Sequence, residues 1–156
     1  YAGQNVGAGA YDRVAKGAKQ GTFMAIGTSA VITGLILLFG KSLMGIFTNT
    51  ESLVTLSMNM MCILAVGYIA MAVTQSLSGV MRGAGDTMTP MWISMVTTII
   101  VRVPLAYGLV YLTRSEQFPQ GRKECIFISL LLSWIVGALA TALFYRKGKW
   151  RKTALR

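Results

Sequence analysis

Gly79-Val80-Met81-Arg82-Gly83-Ala84-Gly85-Asp86-Thr87-Met88-Thr89-Pro90 ends the longest uncharged run of the chain and begins the next one. It reads as a tight hinge between two apolar helices. Gly83 and Gly85 allow the positive φ that a reversal needs, Asp86, Thr87 or Thr89 can cap free backbone N–H groups, and Pro90 suits the first turn of a new helix. Arg82 closes the preceding helix with a positive charge beside its last carbonyls.

Outward from this hinge the chain reads as membrane protein. It is 54% hydrophobic and 13% charged, whereas an ordinary soluble domain is about a quarter charged. Runs free of Asp, Glu, Lys and Arg extend over 20–40, 52–81 and 125–145, and a fourth, 87–113, is broken only by Arg102. Each reaches the roughly 20 residues that a helix needs to cross the hydrocarbon core. The expected organisation is therefore one all-α membrane domain with four spans at about 14–40, 53–81, 89–113 and 124–146, ending in a basic cytoplasmic tail, 147–156. The first run is no cleaved signal peptide, because glycine-rich and basic sequence precedes it and no small-residue cleavage site follows.

The net charge of +10 is distributed unevenly. If the spans alternate, Arg13, Lys16, Lys19, Arg82, Arg146, Lys147, Lys149, Arg151, Lys152 and Arg156 share one side and Lys41, Arg114, Arg122 and Lys123 the other. Ten against four is the positive-inside pattern and places both ends in the cytoplasm of an inner (plasma) membrane protein. No nucleic-acid partner is expected, since that would need basic and aromatic residues interleaved on one folded surface. With no histidine and no Cys pair at ligand spacing, no metal or haem site is expected; Cys62 and Cys125 read as small apolar packing residues. Gly7-Ala8-Gly9 lacks the Lys-Ser/Thr ending of a phosphate loop and reads as a turn in a glycine-rich linker, 1–12.

Arg82-Gly83-Ala84-Gly85-Asp86-Thr87 with Thr89-Pro90, then Arg102-Val103-Pro104-Leu105-Ala106-Tyr107, resembles the second half of a multidrug and toxic compound extrusion (MATE) transporter. Gln4 to Ala10 and Tyr145 to Trp150 extend the likeness over nearly the whole chain. The resemblance implies a piece of a larger protein: the last four helices of a twelve-helix exporter whose two six-helix lobes rock to expose a central cavity to each side in turn, driven by Na+ or H+. It implies as partners the lipid bilayer, the remaining eight helices and cationic amphipathic small molecules, and no enzymatic activity. Some members carry a carboxylate in the middle of the second span. Here no Asp or Glu occurs between Glu51 and Asp86, so no cofactor is expected and the coupling ion is assigned to a site outside this chain.

Within the second span Tyr68, Met71, Gln75, Ser78 and Arg82 recur at spacings of three and four and line one helix face. A stripe of aromatic, thioether and amide groups suits a cavity for varied cations, because tyrosine offers a π face and methionine reshapes easily. The plainer alternative is that Gln75 and Ser78 hold a neighbouring helix. Arg102 stands about 18 Å into the third span at the standard helical rise, beyond the midplane. It reads as a brace for the kink at Pro104, which frees the carbonyl of Ile100, in preference to a substrate contact. Ser133 and Gly137 give the fourth span a small-residue packing face, and Trp150 reads as an anchor at the headgroups. Two other readings remain: a flippase of lipid-linked saccharides from the same superfamily, and a four-helix membrane scaffold that transports nothing.

Overall fold

The computed structural model describes residues 1–115, 118–119, 121–148 and 150–151. Among these residues it is all-α, with a single antiparallel bridge between Ser115 and Phe118 in place of any sheet. A short helix, α1 (Ala2–Gly7), precedes α2 (Tyr11–Phe47) and α3 (Glu51–Gly83). The third long helix is composite: α4 (Met88–Met95), a π-helical stretch Val96–Arg102, and α5 (Val103–Leu112) run on without a break. The last helix is α6 (Glu124–Lys147). Four of these units are long and apolar enough to cross a membrane, and the chain is a multi-pass membrane protein.

Helices α3 and α6 form the centre. α2 lies against the outer side of α3, and the composite helix lies against α6. Glycines set the closest approaches. A Cβ at Gly67 of α3 would meet the Trp134 ring of α6 at 2.7 Å, and one at Gly40 of α2 would meet Met58 Sδ at 2.9 Å. On α6 the buried residues Cys125, Ser129, Ser133, Gly137 and Thr141 repeat every four positions, so one small, weakly polar ridge runs the length of the helix and lets the neighbouring helix come close. The Ser129 and Ser133 hydroxyls donate hydrogen bonds to Ile126 and Leu130 O at 2.8 and 2.7 Å, which satisfies them without water.

The hinge resolves into a Schellman turn. Gly85 N–H donates to Arg82 O at 3.0 Å and Asp86 N–H to Met81 O at 3.0 Å, with Gly85 at φ 92°, the left-handed residue that this ending favours. Gly7-Ala8-Gly9-Ala10 closes α1 by the same bonds: Gly9 N–H to Val6 O, Ala10 N–H to Asn5 O, and Gly9 at φ 69°. The recurrence of Gly-Ala-Gly is thus a recurrence of one helix stop. Gly83 differs from the expectation. It keeps an ordinary φ as the last residue of α3, and its missing side chain makes room for α1, since a Cβ there would stand 3.1 Å from Ala2 Cβ. Asp86 is buried and its Oδ1 accepts the Thr89 N–H at 3.0 Å, while Pro90 occupies the third position of α4.

Two further expectations change. Residues 1–12 are no loose linker, because Ala2–Gly7 is helical and its Val6 packs with Val14, Met81, Ala84 and Trp150 in the main buried cluster. Trp150 is 1% exposed, so it is no headgroup anchor. Its Nε1–H donates to Tyr145 O at 3.0 Å and its ring stacks on Tyr145 at 5.4 Å. Gly148 ends α6 in the left-handed conformation, at φ 69°. The rest of the tail, Lys149 and 152–156, lies outside the described residues.

Candidate functional site

The second-span stripe divides between two cavities. Tyr68, Met71 and Gln75 face α2 across an open groove of about 540 Å³, opposite the hydroxyls of Thr28, Ser29 and Thr33. That volume falls in the range of small-molecule sites. Met71 and Gln75 also line a smaller cavity of about 120 Å³ on the other side of α3, with Thr97, Thr98, Arg102 and Ser133. It has room for a few waters and enough polar partners to hold them. The two residues therefore form the wall between a wide, mostly apolar groove and a narrow polar one.

Ser78 does not share in either cavity. It is 3% exposed and lines neither. Helical rotation sets it at the edge of the stripe, and its neighbours Leu77 and Met81 are buried with it where α3 nears the hinge. Arg82, the last of the series, is exposed. Tyr68 packs its ring against Trp134 of α6 at 5.8 Å and 42° and also lines the groove.

Arg102 lies at the end of the π-helical stretch and is half-buried. Its Nε–H donates to Ser133 Oγ at 3.1 Å, and the same hydroxyl donates onward to Leu130 O at 2.7 Å. The serine hydroxyl thus accepts a hydrogen bond from the guanidinium and donates one to its own helix. Pro104 stands exposed two residues later. A π turn just ahead of a proline shifts the backbone register where an α-helical bond would be lost. The hydrogen-bond partner that the structure gives Arg102 is thus on α6, a contact that spacing along one helix does not reveal. The Ser133 and Gly137 spacing marked that face, and the signal that would have completed it is the four-residue repeat from Cys125 to Thr141.

No acid lines either cavity, and among the described residues no three metal-ligating side chains converge. Cys125 is buried and makes polar contacts, its Sγ 3.2 Å from Thr113 Oγ1 and donating to Leu109 O at 3.6 Å; Cys62 is exposed on the bundle surface. At the far end from the termini, Glu51, Asn59 and Lys123 border a shallow polar surface.

Over 137 residues the chain is 26% identical to a probable multidrug resistance protein NorM of Thermotoga maritima, a match covering 88% of this chain and 28% of that protein. It is 27% identical over 152 residues to a protein of the same description from Xanthomonas campestris pv. campestris, covering 97% and 32%. With multidrug and toxin extrusion protein 2 of Homo sapiens the identity is 26% over 129 residues, covering 81% and 21%. The chain thus spans less than a third of the length of these relatives. No solved structure gives a significant match. The MatE family model matches residues 1–108, and the chain belongs to the MatE family.

Proposed function

We propose that this chain forms the last four helices of an ion-coupled exporter of cationic amphipathic compounds, and that the groove between α2 and α3 is part of its substrate path. The observation that carries the reading is the placement of Met71 and Gln75 in the wall between the open groove and the Arg102 cavity. A cation in the groove meets a thioether, an amide, a tyrosine face and hydroxyls, which suit a varied and weakly selective site. The fixed charge of Arg102 stays on the other side of α3, where it joins two helices and does not repel the substrate. Coupling to Na+ or H+ is assigned to an acid outside these residues, because no carboxylate lines the cavities. Both ends of the chain lie in the cytoplasm by the ten-to-four distribution of Lys and Arg. The chain catalyses no covalent chemistry.

The test is efflux of several chemically distinct cationic dyes by the full-length protein, normalised to transporter in the membrane. Gln75→Ala and Met71→Ala should change the dyes unequally, each by about 1 kcal/mol or several-fold in apparent affinity, and should leave the response to a collapsed ion gradient unaltered. A uniform loss across all dyes would reduce the stripe to a helix contact, and a changed gradient response would return coupling to this chain.

A further inference from the structure

A third cavity, of about 430 Å³, opens where α2, the end of α3 and the end of α6 meet. Lys19, Arg146 and Arg151 line it together with the apolar side chains of Phe23, Ile26 and Leu77, and no acid does. Two of its cations mark one boundary. Lys19 is the last charge before the uncharged run of α2, and Arg146 is the first after that of α6, so two separate helices put positive charge at the same polar edge of the membrane. Phe23 and Ile26 continue one and two turns deeper on the Lys19 face of α2. Arg151 is held in place, its guanidinium 5.3 Å above the buried Trp150 ring.

We infer that this crevice binds an anionic phospholipid, its phosphate among Lys19, Arg146 and Arg151 and an acyl chain over Phe23, Ile26 and Leu77. Three cations in one crevice repel one another, and a single phosphate among them converts that repulsion into attraction. Basic pockets between transmembrane helices at the headgroup level fit anionic lipid. The apolar floor distinguishes an amphiphile from free phosphate, which gains nothing from it. The site also differs in sign from the α2–α3 groove, which carries no charge, so a cationic substrate and this lipid do not compete. The assignment does not depend on which side of the membrane this end faces.

The experiment uses the full-length protein in detergent, with bound phosphatidylglycerol and phosphatidylcholine of matched acyl chains counted by native mass spectrometry. The unaltered protein should retain phosphatidylglycerol in preference, and Lys19→Gln/Arg146→Gln/Arg151→Gln should lose that preference by about a hundredfold, at roughly fivefold per cation near the surface. Arg13→Gln/Lys16→Gln/Lys147→Gln removes as much charge from exposed positions outside the crevice and should stay within about twofold of the unaltered protein. Equal loss in both triple variants overturns the site, as does displacement of the lipid by equimolar inorganic phosphate. Should the first triple variant not accumulate, Lys19→Gln alone, at an exposed helical position, is expected to lose about fivefold, and an unchanged preference there overturns the inference too.

Discussion

Gly3 and Gly83 meet backbone against backbone: a Cβ on Gly3 would stand 2.9 Å from the carbonyl oxygen of Gly83. Helix α1 is thereby laid across the end of α3, and Val6 is delivered into the cluster of Val14, Met81, Ala84 and Trp150. The basic end of the bundle is closed by elements from both extremes of the chain.

The two hinge glycines should consequently fail for different reasons. Gly85→Ala forces a Cβ into a left-handed turn, at a cost of about 1–2 kcal/mol wherever α1 lies. Gly83→Ala has no such strain and collides with Ala2 Cβ at 3.1 Å. Ala2→Gly should therefore restore the thermal stability of Gly83→Ala and leave that of Gly85→Ala unimproved. Rescue of both variants, or of neither, would show that the glycines share one role.

The contact between Arg102 and Ser133 makes a second forecast. Membrane hydrogen bonds between helices are worth about 0.6 kcal/mol on average, so Ser133→Ala alone should be mild. In a double-mutant cycle with Arg102→Met, a coupling of about 0.5–1 kcal/mol is expected from thermal denaturation in detergent. Arg102→Lys should not reproduce the unaltered protein, since an ammonium lacks the planar fork whose Nε–H reaches Ser133. Zero coupling would return Arg102 to a purely local brace.

The spans and the hinge were legible because their signals are local. Uncharged runs measure membrane thickness directly, and Gly-Ala-Gly followed by Asp and Thr-Pro carries a helix stop and a helix start within eight residues. Gly83 was misread because the sequence marks a glycine and not its cause: positive φ and close approach by a distant segment leave the same residue. Trp150 was misread for a related reason. An indole among lysines and arginines follows the interfacial pattern, and its burial beyond Gly148, stacked on Tyr145, is not written in that pattern. The division of the Tyr68 stripe between two cavities likewise depends on which helices flank α3, and periodicity along one helix holds no information about that.

The proposed orientation rests on the charge distribution and can be tested at positions that are exposed in this chain. Single cysteines replacing Asn49 and Ser115 should react with an impermeant thiol reagent from outside intact cells, and one replacing Thr87 should react only after the membrane is opened. All three residues are exposed, whereas Ala84 in the same hinge is 4% exposed and would stay silent from either side. Labelling at Thr87 from outside would invert the topology.

The tightest contact of the bundle centre offers a change of sign as its test. In a helix alanine is ordinarily favoured over glycine by about 1 kcal/mol, so Gly67→Ala would stabilise α3 if nothing stood beside it. A Cβ at that position comes within 2.7 Å of the Trp134 ring and 3.1 Å of Leu131 Cδ1. The ring is hemmed in on one side by Tyr68, which packs against it at 5.8 Å. Overpacking of this kind costs about 1–3 kcal/mol, which outweighs the propensity gain, and Gly67→Ala should lower the midpoint of thermal denaturation. Trp134→Leu is itself destabilising through the volume it removes. In that background the obstruction is gone, and the flexible end of Leu131 can move aside. Gly67→Ala should then become neutral or stabilising. If its penalty persists without the indole, the glycine serves something other than the approach of α3 to α6, and if it stabilises the unaltered protein, the two helices are not packed as closely as their backbones require.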